Sequence, residues 1–329
     1  MQRHYLAILG ILVVLSLVTP AQAVLPTYDR WLESFKARAI AEGVSPRVLE
    51  DALAGVTPDD TVVALDNKQP EKKITFSRYL TNTISQRRIN MGREMMQEHR
   101  EVLARVSETY GVPAKYIIAL WAIESDFGNN KGDFSVVQSL ATLAYEGRRA
   151  EFFTKELIAA LKIIEAENIS PSELRGSWAG AMGNCQFMPS TYLRFAVDGN
   201  GDGHRDIWNS TEDTFASIAH YLQSLGWDRH QPWGRAVHVP ADFRAAEANI
   251  KHGQSASYWR KRGLTYKNAI NADGDRKIQR GKEKLYAIYP GTEDEGVYLV
   301  SENFQALLQW NRSRYFATSV GKLADAIGE

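Results

Sequence analysis

The chain holds a single cysteine, Cys185, among 329 residues. No internal disulfide can form, and a cysteine-rich zinc site is excluded. Lys+Arg and Asp+Glu both number 39, so no global field favours nucleic acid or an anionic membrane surface. The histidines show neither H-E-x-x-H nor any other metal-ligand spacing. His99 falls on the inward stripe of its helix pattern and reads as a hydrogen-bonded core residue. There is no Gly-x-Ser-x-Gly elbow, no phosphate-binding glycine loop, no internal repeat and no low-complexity tract. Cys185 has no activating partner in the sequence, which argues against a catalytic thiol.

Beyond the first 23 residues no long apolar segment occurs. That opening stretch has a basic Arg3, an almost wholly apolar run from Tyr5 to Val18, then Pro20 and the small-x-small triplet Ala21-Gln22-Ala23. This is the layout of a cleavable secretory signal, with an apolar core too short for a comfortable span. Val24 stands at the junction, so no cysteine is there for lipid attachment. The expectation is a soluble periplasmic protein, stable without a disulfide. Hydrophobic content of 44% and charged content of 24% are ordinary for a globular chain with room for two or three domains.

Short helical patterns run from Tyr28 to about Lys73, with breaks at Gly43, Pro46, Gly55 and Pro58. Met91, Met95, Val102, Val106 and Tyr110 recur near 3.6 residues per turn. They predict one long helix, weakest at Gly92 and stopped by Gly111. Pro113 suits the first turn of the next helix, which runs to Glu124 and, being apolar on all sides, belongs in the centre of a helical domain. A helix over 151–165 points Phe152, Phe153, Leu157, Ile158, Leu161 and Ile164 inward, and another over 214–225 does so with Phe215, Ile218, Ala219, Leu222 and Leu225. After Gly226 the pattern turns to strands at 236–239, 284–289 and 297–301, the last two pairing across Pro290 to Gly296. Helical periodicity returns over 303–327. The fold class is α+β, mainly α, with a β-rich segment inserted into a helical domain.

Three features carry chemistry. The first is Tyr116-Ile-Ile-Ala-Leu-Trp-Ala-Ile123 ending on Glu124. A carboxyl joined to eight apolar residues loses solvation when ionised, so its pKa rises and it can serve as a general acid near neutrality. The second is Gly176 to Ser190, where three glycines and two alanines allow either close backbone approach to a ligand or tight packing of small residues. Ser177, Asn184 and Gln186 offer hydrogen bonds there, while Trp178, Phe187 and Met188 offer apolar platforms for sugar rings. The third is Asp198-Gly-Asn-Gly-Asp-Gly-His-Arg-Asp206. Side-chain oxygens at positions 1, 3 and 5, glycine at 6, the His204 carbonyl at 7 and Asp206 at 9 match the first nine places of an EF-hand loop. Position 12 is Asn209, so closure needs Glu212 or Asp213; alternatively those acids only complement the following helix N-terminus.

Taken together these segments resemble the B-type lytic murein transglycosylases, a lysozyme-like family. The residues that carry the likeness are Tyr110-Gly-Val-Pro113, Trp121-Ala-Ile-Glu-Ser-Asp-Phe-Gly128, Gly180-Ala-Met-Gly183, Gln186-Phe-Met-Pro-Ser190 and Ala196 to His204. Ile207-Trp-Asn209, Ala219-His-Tyr221, Asn303-Phe304, Trp310-Asn311 and Tyr315 extend it over nearly all of residues 28–327. The resemblance implies a lysozyme-like helical core over 112–232 with the EF-hand-like loop, an N-terminal helical domain over 24–111, a β-rich insertion over 233–300 and a C-terminal helix over 301–329 that returns to the core.

It further implies cleavage of the β-1,4 bond between N-acetylmuramic acid and N-acetylglucosamine, leaving a 1,6-anhydromuramyl end. By matching positions, Glu124 is the single catalytic acid/base. Ser177, Gln186 and Tyr221, with Phe187 and Met188, contact the sugars. Asp198, Asn200, Asp202, His204 and Asp213 hold a structural Ca2+. No cofactor serves the chemistry. Peptidoglycan glycan strands are the partner, other cell-wall enzymes are candidate associates, and a monomer is expected. Two departures stand out: Asn184-Cys185 occupies the place of an aromatic residue followed by glycine, and Trp310-Asn311 that of Tyr-Asn.

Ordinary glycosidases set two carboxylates across the bond. Here the nearest acid, Asp126, lies two residues on and points elsewhere if the helix continues. A lone acid suits a nucleophile supplied by the substrate's own C6 hydroxyl. One alternative is a hydrolytic muramidase whose water is held by a distant carboxylate such as Asp133 or Glu146. The other is a catalytically silent wall-binding protein on the same fold.

Overall fold

The computed structural model describes residues 27–68, 74–146, 148–268, 277–278 and 281–328. The signal-like stretch and the Val24 junction lie outside them. Helices lead the chain: α1 (Tyr28–Ala41), α2 (Pro46–Leu53), α3 (Asp60–Asn67), α4 (Phe76–Thr83), α5 (Gln86–Glu98), α6 (Arg100–Tyr110) and α7 (Ala114–Ser125). Strand β1 (Phe134–Ser135), helices α8 (Val136–Glu146) and α9 (Ala150–Glu167), and strand β2 (Arg175–Gly176) follow. Then come α10 (Pro189–Phe195) and α11 (Thr211–Ser224). A five-stranded antiparallel sheet interrupts the helices, built from β3 (Gly234–His238), β4 (Gln254–Ser255), β5 (Thr265–Tyr266), β6 (Lys284–Ile288) and β7 (Val297–Val300) in the order β4-β6-β7-β3-β5. Helix α12 (Ala256–Lys261) sits within that segment, and α13 (Glu302–Trp310) and α14 (Arg314–Gly328) close the chain.

The architecture is α+β, mainly α. Helix α7 lies at its centre: every residue from Tyr116 to Ala122 is buried, because no face of the helix is polar enough to meet water. Helix α14 packs along α7, as α8 does along α9. The strands at 284–288 and 297–300 pair as expected, with Tyr286 opposite Val300 and Ile288 opposite Tyr298. The two-residue strands at 254–255 and 265–266 were too short to show a period. One face of the sheet has its own core of Val237, Trp259, Ala287 and Leu299, while Tyr286, Ile288, Tyr298 and Val300 on the other join the main helical core.

Three local expectations are corrected. The single long helix is two, α5 and α6, and the break falls at His99 and not at Gly92. His99 leaves helical geometry, half-buried, with its ring edge-on to Trp121 at 5.9 Å and Phe215 at 5.2 Å; among the described residues it is aromatic packing, and no side-chain hydrogen bond, that holds it. Gly92 serves packing: a β-carbon there would stand 2.5 Å from Ile327 Cδ1 of α14. Phe152, expected inside, is exposed and lies under the Arg149 guanidinium at 4.1 Å. Gly111 ends α6 in the left-handed conformation at φ 70°, as its position as helix stop requires.

Candidate active site

Helix α7 carries Glu124 near its C-terminal end, where the buried run gives way to a partly exposed position. The helix ends one residue later. Asp126 and Phe127 adopt left-handed geometry at φ 49° and 58°, a costly conformation for residues with a β-carbon. The Asp126 carboxylate is held by Arg87 at 2.7 Å and Arg88 at 3.3 Å. It is therefore occupied elsewhere, and the helix terminus that fixes Glu124 is clamped from outside.

The Glu124 side chain is half-buried, and Oε1 accepts a hydrogen bond from Trp310 Nε1 at 2.7 Å. Burial pushes its pKa up to about 7, the Trp310 hydrogen bond pulling the other way. Neither influence is another carboxylate. Asp133 and Glu146, which a water-activating role would need, are both exposed. At neutral pH Glu124 is thus poised between its acid and base forms.

Around it stands a wall of rings. Phe187 lies 5.3 Å from Trp310 and 5.5 Å from Tyr221, Tyr221 lies 5.0 Å from Trp310, and Phe195 stacks on Tyr221 at 4.3 Å. Such pairs add about 0.5–1.5 kcal/mol each beyond their burial. The structure therefore brings together Glu124, Phe187 and Tyr221 of the sequence-derived set. It adds Trp310, which the sequence marked as part of the family likeness and as standing where Tyr is usual, and Tyr79. Tyr79 is half-buried on α4, its hydroxyl raised in pKa by burial and, to a smaller extent, by the Glu124 charge. No periodicity marks it: α4 spans only eight residues, and Glu124 is far along the chain.

The glycine segment behaves as a tightly packed loop. A β-carbon at Gly180 would stand 2.5 Å from Leu140 Cδ2, and one at Gly183 would stand 2.7 Å from the Ile207 carbonyl oxygen. Protein fills the space beside both glycines, so the packing alternative describes them. The Ser177 hydroxyl accepts the Ala181 N–H at 3.0 Å, closing the turn. Gln186, at φ 49°, donates its amide to the carbonyls of Lys131 and Gly183, which leaves Oε1 without a protein donor among the described residues. Met188 is half-buried at the N-cap of α10.

Asn184 explains its own departure. Buried to 4%, it accepts from Trp121 Nε1 at 3.0 Å, donates to the carbonyls of Ile207 and Trp208, and offers its own carbonyl to Ser125 Oγ at 2.9 Å. It fastens α7 to the glycine segment. Cys185, fully buried, has its thiol pKa raised well above the ordinary value, chiefly by burial and then by the Glu124 charge; this is no nucleophile.

In the acidic loop, Asp198 accepts backbone N–H bonds from Gly201, Asp202 and Gly203, which hold its carboxyl below the usual range, Gly203 most of all. Asp202 accepts from the His204 N–H, and Asn200 donates to Asp202. Asp213 lies fully buried beneath the loop and takes the N–H groups of Gly199, Asn200 and Asp206. Glu212 turns outward to Arg105. The donors are hard oxygens, the kind Ca2+ selects. Among the described residues, no three His, Cys, Asp or Glu side chains converge as they would around a bound metal.

Comparisons with known proteins identify the family. The family model described as "Transglycosylase SLT domain" matches residues 27–325. The membrane-bound lytic murein transglycosylase B of Escherichia coli (strain K12) is 30% identical over 297 residues, covering 87% of this chain and 79% of its own. SltB3 from Pseudomonas aeruginosa, solved in complex with NAG-anhNAM-pentapeptide, superposes with a TM-score of 0.85 at 38% identity, covering 92% of this chain and 79% of that one. Slt35 from Escherichia coli, solved in complex with calcium, gives a TM-score of 0.73 at 27% identity over 94% of each chain. A half-buried acid with a pKa near neutrality, walled by aromatic rings in this helical frame, is what such an enzyme requires, and the chain belongs to the SLT-domain family of lytic murein transglycosylases.

Proposed function

We propose that Glu124 alone performs both proton transfers in cleaving the bond between N-acetylmuramic acid and N-acetylglucosamine. The observation that carries this is a carboxyl raised to about 7 with no other carboxylate acting on it. Protonated Glu124 first gives its proton to the glycosidic oxygen. As that bond breaks, the C6 hydroxyl of the muramic acid closes on C1, and the Glu124 carboxylate takes the hydroxyl proton, leaving the 1,6-anhydro end. An internal nucleophile needs orientation more than activation. Ser177, Gln186 and Tyr221 supply it through polar contacts, with the free Oε1 of Gln186 as acceptor for an N-acetyl N–H; Phe187 and Met188 give apolar floor. The SltB3 relative, solved with a NAG-anhNAM product, supports this reading. Glu124→Gln keeps the Trp310 acceptor and is expected to bind muropeptide normally while losing turnover by roughly 100-fold or more. Turnover at the parent rate would remove the assignment.

The substrate is peptidoglycan glycan strands, met by a monomer in the periplasm. Among the described residues no helix is long and apolar enough to cross a membrane. The E. coli relative is named membrane-bound, whereas the small-x-small junction before Val24 supports release in soluble form. Recovery in the soluble periplasmic fraction tests this.

Calcium is held by Asp198, Asn200, Asp202 and the His204 carbonyl, with Asp213 as the closing carboxylate. The EF-hand spacing and the calcium complex of Slt35 support it. Bound there, the ion rigidifies the loop and takes no part in bond cleavage.

A further inference from the structure

A cavity of about 720 Å³ lies at the opposite end of α7 from the acid, bordered by Pro113, Lys115 and Tyr116. Lys115 and Glu124 are nine residues apart on that helix, roughly 14 Å, and neither Glu124 nor Trp310 lines this space. It opens where the chain passes from the helices into β3, between Arg229, Trp233 and Arg235 on one side and the last turns of α14 on the other.

Its charge is lopsided in a chain whose formal charge is zero. Lys115, Arg229, Arg235 and Lys322 line it against one carboxylate, Asp325. Asp325 binds Lys115 at 2.9 Å and Trp233 Nε1 at 2.8 Å. The Arg235 guanidinium sits 5.6 Å from the centre of the Tyr266 ring. Arg229 and Lys322 have no acidic partner among the described residues. The N-terminal end of α7 adds its own partial positive charge. Cations left unpaired in a concave site with aromatic walls favour a ligand carrying more than one anionic group.

We propose that this cavity binds an anionic peptide, the carboxylate-rich stem of the murein polymer, apart from the site that cleaves the glycan. The assignment rests on the transglycosylase reading for its choice of polymer. A peptide suits the site better than a bare phosphate: carboxylates meet Arg229, Arg235 and Lys322, while each Asp325 oxygen, already accepting one protein hydrogen bond, keeps a second lone pair for a peptide N–H that phosphate lacks. Gripping the stem there holds the strand to the enzyme independently of the sugar contacts around Glu124.

The test is calorimetric titration of the full chain with the free tripeptide L-Ala-γ-D-Glu-meso-diaminopimelate, which carries no sugar. Saturable binding is expected, weaker in Arg229→Gln/Lys322→Gln by about tenfold or more, unchanged in Glu124→Gln and retained in the charge-preserving Arg229→Lys/Lys322→Arg. No saturable binding, or equal binding by the neutralised double variant, overturns the proposal. Pyrophosphate binding as tightly as the peptide overturns the peptide assignment. An enzyme that releases anhydro ends yet ignores the tripeptide refutes this inference alone; one that binds the tripeptide but yields no anhydro ends refutes the transglycosylase mechanism alone.

Discussion

The indole N–H of Trp310 and the Glu124 carboxylate meet at 2.7 Å although 186 residues separate them. The last residue of α13, which follows the inserted sheet in the chain, thus holds the acid. This hydrogen bond favours the ionised form and opposes the effect of burial.

Removing the donor while keeping an aromatic ring separates the two influences. In Trp310→Phe the carboxylate loses its stabilising partner, its pKa rises, and Glu124 stays protonated to higher pH. The alkaline limb of the kcat/KM profile is expected to move upward from near pH 7 in the parent enzyme. A limb that stays in place or moves down contradicts this role for Trp310.

The same burial links stability to pH. The folded-state pKa of about 7 lies above the ordinary 4.5, so the folded protein holds the proton more tightly than the unfolded chain. The stability this gives is fully present below pH 4.5 and is lost as pH rises through 7. The loss is on the order of 3 kcal/mol at most, less for a side chain that keeps some solvent contact. Glu124→Gln should therefore melt higher than the parent at pH 8, with a smaller difference at pH 5. An identical difference at the two pH values would show that burial does not strain the carboxylate.

Asn184→Ala tests the fastening of α7. It strips hydrogen bonds from Trp121, Ile207 and Trp208 in a buried place, at a cost of about 2–4 kcal/mol. The melting temperature and turnover should fall together, since the helix that loosens is the one carrying Glu124. A melting curve like the parent's would mean that Asn184 is dispensable.

The acidic loop makes a separate prediction. Calcium should raise the melting temperature, and a chelator should reverse the gain. Asp213→Ala, which frees three partly buried N–H groups, should cost about 1–3 kcal/mol and abolish the calcium response. Curves that are indifferent to calcium and chelator would leave the loop held by its own hydrogen bonds.

Much of the frame was legible in the sequence because hydrophobic pattern reports burial directly. The all-apolar run before Glu124 put α7 in the core, and two strand-like runs over 284–289 and 297–301, separated by Pro290 to Gly296, marked a hairpin. Features that depend on a third element were not legible. Gly92 looked like a weak point because propensity is local, while Ile327, which needs the space, comes from the other end of the chain. His99 breaks the helix for the sake of two rings from α7 and α11. Phe152 fits the inward stripe, but at the N-terminal end of α9 its ring lies outside the core. Trp310 and Tyr79 reach the acid only through tertiary packing, and Asn184 looked anomalous until its buried partners were visible.

The most direct measurement is the end group released from purified sacculi digested in 18O-labelled water, read by mass spectrometry. The C6 hydroxyl as nucleophile predicts 1,6-anhydromuramyl ends free of 18O, and none from Glu124→Gln. Reducing muramic acid ends carrying one 18O would show that water is the nucleophile, and the single-acid account would be wrong.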